Sequence, residues 1–384
     1  MSEFDIIIAG AGPAGAMAAI SASRAGRKVC LLERKLEVGV PVRCGEGIGK
    51  RGLLDHVEPK PEWIINTIKK AVMVSPSGIR IELAGTSEDF ILDREIMDSD
   101  LVKEAIKSGT SFFCDTPVIS IEKSGQLYQC ITPGKTFSAK CLILADGVES
   151  RLARFLGWDT SLPLSDVETC AFARVVSPLV EKNTCIFYTG TKVAPGGYAW
   201  IFPRAVGEAN VGLGISGNHS ESGKAKQYLE RFIESEFPGA RISNLHCGGV
   251  PVARYIRPLV KDGVMLVGDA ARQVNCLSGA GLAYSLFAGK IAGKIAAEAF
   301  KDNIFNCKHL RSYEKNWKNR FGKQQLRSYS LKKFVEKYAD DSFLDRIAQS
   351  LSKEDPAKMN YLRVFSRTFS GHPLLLLKAI KLFK

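Results

Sequence analysis

"FDIIIAGAGPAGAMAAISASRAGRKVCLLERK", residues 4–35, decides the fold. Phe4 to Ala9 is an apolar run of strand length that leads straight into Gly10, Gly12 and Gly15 in G-x-G-x-x-G spacing. A helix of small residues follows through Ala16, Ala18 and Ala19, and Gly26 ends it. "KVCLLE" is a second short apolar strand, closed by Glu33. Each part has a mechanical reason. Gly10 allows the tight turn, and Gly12 lets backbone approach a pyrophosphate resting on the helix N-terminus. Gly15 allows close helix–strand packing, and Glu33 accepts hydrogen bonds from a ribose. The competing reading is a glycine-rich turn in another α/β fold. Strand, glycine run, helix, second strand and acid together predict dinucleotide binding.

The totals bound the rest. A chain of 384 residues is too long for one compact core and predicts two or three domains. Hydrophobic content of 45% and charged content of 24% suit an ordinary globular protein. Lys and Arg outnumber Asp and Glu by 53 to 40, for a net charge of +13, which suits an anionic partner or a solvated basic surface. Nucleic acid is not expected, because no basic module interleaved with aromatics is present. The ten cysteines form no C-x-x-C pair, so no metal is expected. Many lie in apolar runs, where a thiol acts as a small hydrophobe. Glu3 and Asp5 are the wrong charge for a signal peptide, and no apolar run nears the roughly 18 residues of a spanning helix. The expected location is a reducing cytoplasm.

Two later stretches bear on which dinucleotide is bound. "KCLILADGVESRLARFLG" is an apolar strand ending in Asp146-Gly147. "DGVMLVGDAARQVNCLSGAGLAYSLFAGKIAGKIAAEAF" is a strand, Gly268-Asp269, a loop, then a glycine-bearing helix start at Gly279 to Gly281. Both resemble the DG and GD motifs of FAD enzymes of the p-hydroxybenzoate hydroxylase type. The resemblance implies a Rossmann-like FAD domain of the p-hydroxybenzoate hydroxylase/glutathione reductase type. It puts Asp269 on the ribityl and pyrophosphate region, and Gly279, Ala280 and Gly281 at the pyrimidine edge of the flavin. A helix N-terminus there stabilises negative charge. The competing reading of Gly268-Asp269 is a helix cap after a strand. No separate NAD(P)H domain is expected.

These motifs are far apart, so the FAD domain is expected from discontinuous pieces, 1–65, 86–165 and 246–300. The segments between have another texture. "AVMVSPSGIRIEL" predicts a hairpin around Pro76 to Gly78. "CAFARVV", "CIFYTG", "GGYAWIFPR" and "EANVGLGIS" predict strands of an antiparallel sheet. Residues 66–85 and 166–245 are thus expected to form a substrate domain, giving an α/β protein with an α+β second domain. "FILDREIMDSDLVKEAIKSG" predicts a helix in the FAD domain. Arg94 at its start resembles a cofactor-contacting arginine of the fold; otherwise it is an exposed helix-terminal charge. Residues 301–384 read as a basic helical segment. Its tail, "GHPLLLLKAIKLFK", suits a short helix lying on an anionic membrane face, or packing on the protein itself.

Three motifs together, the FAD fingerprint, "PVRCGEGI" and "YAWIFPR", resemble the geranylgeranyl reductase family of flavoproteins, over roughly residues 1–300. "PVRCGEGI" is closest to the archaeal lipid branch. One departure is Cys276 in "VNCLSGAG", where the family often has proline. The resemblance implies an FAD-dependent reductase saturating isoprenoid C=C bonds of geranylgeranyl chains in phospholipids. Hydride would come from reduced flavin N5, with a proton added at the other carbon. It implies cofactor contacts at Ala14, Arg34, Arg43, Cys44, Gly45 and Gly147, besides the fingerprint residues. Strand alternation puts Tyr198, Trp200 and Phe202 on one face, and Ala199 and Ile201 on the other. Such an aromatic wall suits a long apolar chain or, equally in kind, a packed core. On the resemblance, Tyr198, Trp200, Phe202 and Pro203 contact substrate, with Cys44, Tyr198 and Trp200 at the reacting end. Tyr198 and Cys44 are the candidate proton donors. The electron donor is either NAD(P)H or a ferredoxin. Two alternatives stand beside this: a monooxygenase or halogenase of the same fold, since "YAWIFP" is similar to a tryptophan-rich halogenase motif, and a non-catalytic lipid-binding flavoprotein.

"GVPVRCGEGIGK", residues 39–50, follows the Glu33 strand, so its loop is expected beside the flavin rather than the adenine. Its glycines let backbone close on a ring, and Arg43 steers phosphate or flavin charge. Cys44 is then an active-site thiol or a packed one, with no cysteine spaced to share a metal.

Overall fold

The computed structural model describes residues 2–83 and 88–353. The predicted tail helix on a membrane face lies outside the described residues. Ser2–Ala9, Pro13–Arg24 and Val29–Leu32 form the expected strand–helix–strand unit. Ser2–Ala9 is flanked in parallel by Val29–Leu32 and Thr136–Leu144, and Val264–Leu266 extends the sheet beyond the latter. Ser111–Phe113 closes the other edge. Ile6, Ile7, Ile8, Leu31 and Leu142 are fully buried, because a parallel sheet is covered on both faces and its strands read as unbroken apolar runs.

One cover is a helix pair held unusually close. Pro13–Arg24 packs along Leu282–Asp302, and Gly289 and Gly293 lie directly on the Ala14 and Ala18 carbonyls. A Cβ at either glycine would overlap that backbone. The glycines thus set the separation of the two helices.

The second sheet has seven strands, in the order Arg241–Val250, Glu168–Val176, Glu208–Ser216, Tyr198–Ala205, Thr184–Tyr188, Lys70–Val74 and Arg80–Glu82. The predicted hairpin is present, with Ser75 N–H donating to the Ile79 carbonyl at 3.0 Å across its turn. The sheet is not wholly antiparallel: Thr184–Tyr188 runs parallel to Lys70–Val74, because that hairpin arrives from a distant part of the chain rather than through a tight turn. Arg241–Val250 pairs with Glu168–Val176 along its length, so residues 246–250 hydrogen-bond within this sheet.

One face of this sheet carries Ala171, Ala173, Ala199, Ile201, Val211 and Leu213. The helix Lys224–Glu236 covers it with Ala225, Leu229, Phe232 and Ile233, an i, i+4, i+7, i+8 stripe. The opposite face is turned toward the first domain.

"FILDREIMDSDLVKEAIKSG" is only partly helical. Asp89–Leu92 is a strand, paired with both Ile64–Ile68 and Gly47–Gly49 in a three-stranded sheet. The helix is Arg94–Lys107, and its N-cap Asp93 accepts the Ile96 N–H at 3.1 Å. Phe90, Ile91 and Leu92 are buried by that pairing, a tertiary contact that overrides local helix preference. Arg94 is therefore the first helical residue, as expected. The chain then runs through Cys307–Trp317, Lys323–Tyr338 and Asp341–Leu351. Among the described residues, no helix is long and apolar enough to cross a membrane.

Candidate functional site

The three fingerprint glycines differ in what surrounds them. A Cβ on Gly10 (φ +103°) would overlap the Ala145 carbonyl, and one on Gly15 would overlap the Gly10 carbonyl. Both are glycine because backbone crosses there. At Gly12 a Cβ would meet no atom within 4 Å. Gly12 caps the helix, with Pro13 at its first position, and faces open space. That space is a cavity of about 550 Å³, lined among others by Gly12, Glu33, Arg34, Arg43, Arg94 and Asp146.

The carboxylates around the cavity are tied to backbone. Glu33 accepts the Ala11 N–H at 2.7 Å and the Lys35 N–H at 3.0 Å, which holds it under the glycine turn. A carboxylate has about four acceptor sites, so capacity remains for a hydroxyl. Asp146 accepts the Leu152 N–H through Oδ2 at 3.0 Å, while its buried Oδ1 has no hydrogen-bond partner among the described residues. Burial pushes the Asp146 carboxyl up. Arg34 pairs with Glu149 at 3.0 Å on the rim. Arg94 makes a two-pronged pair with Asp98, 2.9 Å on each arm, and is not an exposed charge.

The Gly268-Asp269 turn is fixed from behind. Gln273 Oε1 accepts the Gly268 N–H at 2.8 Å, and its Nε2 donates to Tyr313 Oη at 2.9 Å. Tyr313 in turn donates to the Leu266 carbonyl at 2.8 Å. Asp269 lies under Gly281, where a Cβ would stand 3.4 Å from its Oδ1. Desolvation pushes its carboxyl up to about 6, against the attraction of Arg94. Gln273→Leu strands the buried Gly268 N–H, and is expected to cost about 2 kcal/mol of stability and to loosen cofactor binding. Thermal melting and flavin titration of the variant check both.

The aromatic strand and the cysteine loop face each other. Tyr198, Trp200 and Phe202 lie on the sheet face of Cys170 and Phe172, with Phe187 stacked edge-on to Phe202 at 5.4 Å. Gly45 lies against Trp200 and Phe202, where a Cβ would sit 3.2 Å from Trp200 Nε1 and 3.1 Å from Phe202 Cε2. Trp200 Nε1 donates to Asn210 Oδ1 at 3.0 Å, and Asn210 Nδ2 donates to the Cys44 carbonyl at 3.1 Å. Cys44 Sγ accepts the Glu46 N–H at 3.3 Å. Glu46 is held in the left-handed region (φ +69°), and its carboxylate is paired with Arg204 in a buried contact. Arg204 also reaches Asp93 at 3.4 Å and Glu208 at 3.3 Å. The Tyr198 hydroxyl donates to the Ser278 carbonyl at 2.7 Å, joining the wall to the glycine loop before Leu282–Asp302.

The predicted residues thus fall into two groups. Gly10, Gly12, Glu33, Arg34, Arg43, Arg94, Asp146 and Gly147 line the cavity. Cys44, Gly45, Tyr198, Trp200 and Phe202 gather where the two sheets meet, beside Gly279. Ala14 and Gly268 pack on each other, a Cβ on Gly268 reaching 3.0 Å from that of Ala14. Pro203 alternates away from Phe202, and its carbonyl accepts from Asn66 at 2.9 Å. Cys276 is buried, with Sγ 2.9 Å from the Ala253 carbonyl. Glu46, Arg204, Asn210 and Gln273 were not singled out by the sequence. Glu46 and Arg204 stand inside quoted motifs, and only their pairing marks them as a joint between the seven-stranded sheet and the Gly47–Gly49 strand.

The family described as FAD dependent oxidoreductase matches residues 5–39, and the geranylgeranyl reductase catalytic domain matches residues 166–250. A "geranylgeranyl bacteriochlorophyll reductase-like" structure from Thermoplasma acidophilum superposes with a TM-score of 0.90 at 30% identity, covering 100% of both chains. The flavin-dependent brominase Bmp2 superposes at 0.71 with 17% identity, covering 100% of this chain and 99% of its own, a likeness of fold alone. Digeranylgeranylglycerophospholipid reductase 1 of Methanococcoides burtonii is 36% identical over 390 residues, covering 99% of this chain and 95% of that protein. With its fingerprint, its aromatic wall and this relationship spanning both sheets, the chain belongs to the digeranylgeranylglycerophospholipid reductase family.

Proposed function

We propose that this protein is an FAD-dependent reductase that saturates isoprenoid C=C bonds of geranylgeranyl chains on an archaeal-type glycerophospholipid. The observation that carries the reading is the meeting of a dinucleotide cradle with an aromatic wall, Tyr198, Trp200 and Phe202, across the Cys44–Gly47 backbone. The residues present fit FAD. Gly12 leaves open space where a pyrophosphate belongs, Asp146 Oδ1 is a buried acceptor without a donor among the described residues, and Glu33 keeps acceptor capacity. Bound there, FAD supplies the hydride for the alkene.

The chain's own work is positioning. Gly12 and the helix N-terminus hold the pyrophosphate, and Glu33 and Asp269 hold hydroxyls of the dinucleotide. Arg94, locked by Asp98, supplies fixed positive charge beside them. Tyr198, Trp200 and Phe202 form the lipid-facing wall, with Cys44, Tyr198 and Trp200 at the reacting end, where they orient one double bond and keep water out. Residues 66–85 and 166–245 serve as the substrate domain in this reading, and the cradle pieces as the FAD domain. An NAD(P)H or ferredoxin-like donor reduces the flavin, and the net charge of +13 supports contact with an anionic membrane face. Dithionite-reduced protein, incubated anaerobically with a geranylgeranyl glycerophospholipid, is expected to yield product heavier by one H2 per saturated bond. Lipid recovered unchanged by mass spectrometry would overturn the reading. A hydroxylated product formed only with oxygen would favour a monooxygenase instead.

A further inference from the structure

Glu168 is a buried carboxyl beside the rings and thiols of the aromatic wall. It opens the Glu168–Val176 strand, pairs with Ser216 and Val250, and is buried. Alternation sets it on the side of Cys170 and Phe172, the side that carries the aromatic wall. Its Oε2 lies against two glycines: a Cβ on Gly214 would stand 3.1 Å from it, and one on Gly279 3.7 Å. Gly214 is the register partner of both Cys170 and Tyr198. The carboxyl therefore sits where the aromatic wall meets the glycine loop of Leu282–Asp302.

We propose that Glu168 is the acid that protonates the second alkene carbon. The proposal rests on the reductase reading above. Saturation adds a hydride to one carbon, with both electrons coming from the reduced flavin, and a proton to the other. The Glu168 O–H bond breaks as that second C–H bond forms. The carboxylate left behind regains a proton from water before the next turnover. The two acids nominated by the sequence are less suited. Tyr198 already donates to Ser278, and burial raises its hydroxyl far above the neutral range. Cys44 Sγ is turned to the Glu46 N–H.

The surroundings of Glu168 suit the task. Burial pushes its carboxyl up to about 7, Lys332 pulls it down and Glu336 raises it. Lys332 is itself shared with Asp166 at 3.3 Å and Glu336 at 3.1 Å, so little of its charge is free for Glu168. The other titratable neighbours are Cys170 on its own strand, with Cys247 and Cys44 facing that thiol, and Tyr198 across the sheet. An acid poised near neutrality combines a protonated resting form with a ready transfer.

The test uses dithionite-reduced holoenzyme and a geranylgeranyl glycerophospholipid in single turnover, followed by flavin reoxidation and product mass. The wild-type rate is expected to fall as pH rises through about 7. Glu168→Gln is expected to react ~100-fold more slowly, without that pH limb, and Glu168→Asp to keep the limb and part of the rate. Infrared difference spectra of the resting protein add a readout that needs no turnover: a protonated-carboxyl band titrating near 7 in the wild type and missing from Glu168→Gln. Glu168→Gln reacting at the wild-type rate, or slowed with the limb intact, overturns the proposal. If Glu168→Gln fails to hold FAD, the infrared titration of the wild type and the Glu168→Asp profile decide, and a carboxyl titrating in the ordinary range overturns it. Wild-type protein that adds no hydrogen to the lipid overturns the reductase reading and this proposal together. Reduction by the wild type, matched by Glu168→Gln, overturns this proposal alone.

Discussion

Gly12→Val protein is expected to fold normally and to be colourless. The backbone at Gly12 (φ −67°, ψ 178°) is one that valine adopts freely, and its Cβ would meet no protein atom within 4 Å. The added side chain would instead occupy the space over the helix N-terminus, where a pyrophosphate must come within hydrogen-bond reach of backbone amides. FAD affinity is expected to fall by at least ~100-fold, about 2.7 kcal/mol. The melting temperature of the apoprotein should stay at the wild-type value. Visible absorbance of purified protein, flavin titration and thermal melting of apoprotein check the pair of outcomes. A yellow Gly12→Val protein with wild-type affinity would remove the cofactor from this cradle. Gly10→Val serves as contrast: its Cβ overlaps the Ala145 carbonyl at a positive φ, so that variant loses the fold as well as the colour.

Arg204→Leu is expected to destabilise the protein by roughly 3–5 kcal/mol, because it leaves a buried carboxylate without its counter-charge. Arg204 and Glu46 side chains are only 6% and 4% exposed, and Asp93 and Glu208 also lean on the same guanidinium. Replacing both partners, as in Arg204→Leu with Glu46→Leu, is expected to recover much of that loss, since neither charge is then stranded. Denaturant unfolding of the two singles and the double closes the cycle, and strict additivity would show that the two residues do not interact. The pair also fixes function. Glu46 shares Asn210 with the Cys44 carbonyl and Trp200, so freeing it loosens the loop that lies on the aromatic wall. Arg204→Leu protein should therefore lose turnover beyond what its lower stability explains, measured well below its melting temperature.

Local signals carried much of the fold. The sequence marked the strand from Phe4 to Ala9, its helix, and the tight backbone crossings at Gly10 and Gly15, because a tight turn and a close approach are made by neighbours in the chain. Alternation along "YAWIFPR" put Tyr198, Trp200 and Phe202 on one face, as they are found, because a strand has a period of two wherever it lies. Where the period was ambiguous, the reading failed. Phe90 to Leu92 entered a strand rather than the helix, since two partner strands bury them from both sides. The parallel pairing of Thr184–Tyr188 with Lys70–Val74 joins segments more than a hundred residues apart, and no residue in either announces it.

What only the tertiary structure decided is the chemistry of groups brought together from afar. Glu46 and Arg204 are ordinary charges in sequence and a buried joint in space. Gly289 and Gly293 owe their importance to the Ala14 and Ala18 carbonyls that lie on them. Glu168 lies outside the run CAFARVV in which the sequence placed a strand, and takes its character from burial, with Gly214 and Gly279 against its carboxyl. Residue type and spacing marked the dinucleotide fingerprint, since strand, glycine turn, helix and Glu33 lie in one continuous segment, while Arg94 and Asp146 reach the cavity from elsewhere in the chain. Burial and charge pairing, which depend on every neighbour at once, set the proton affinity of buried groups such as Glu168 and Tyr198.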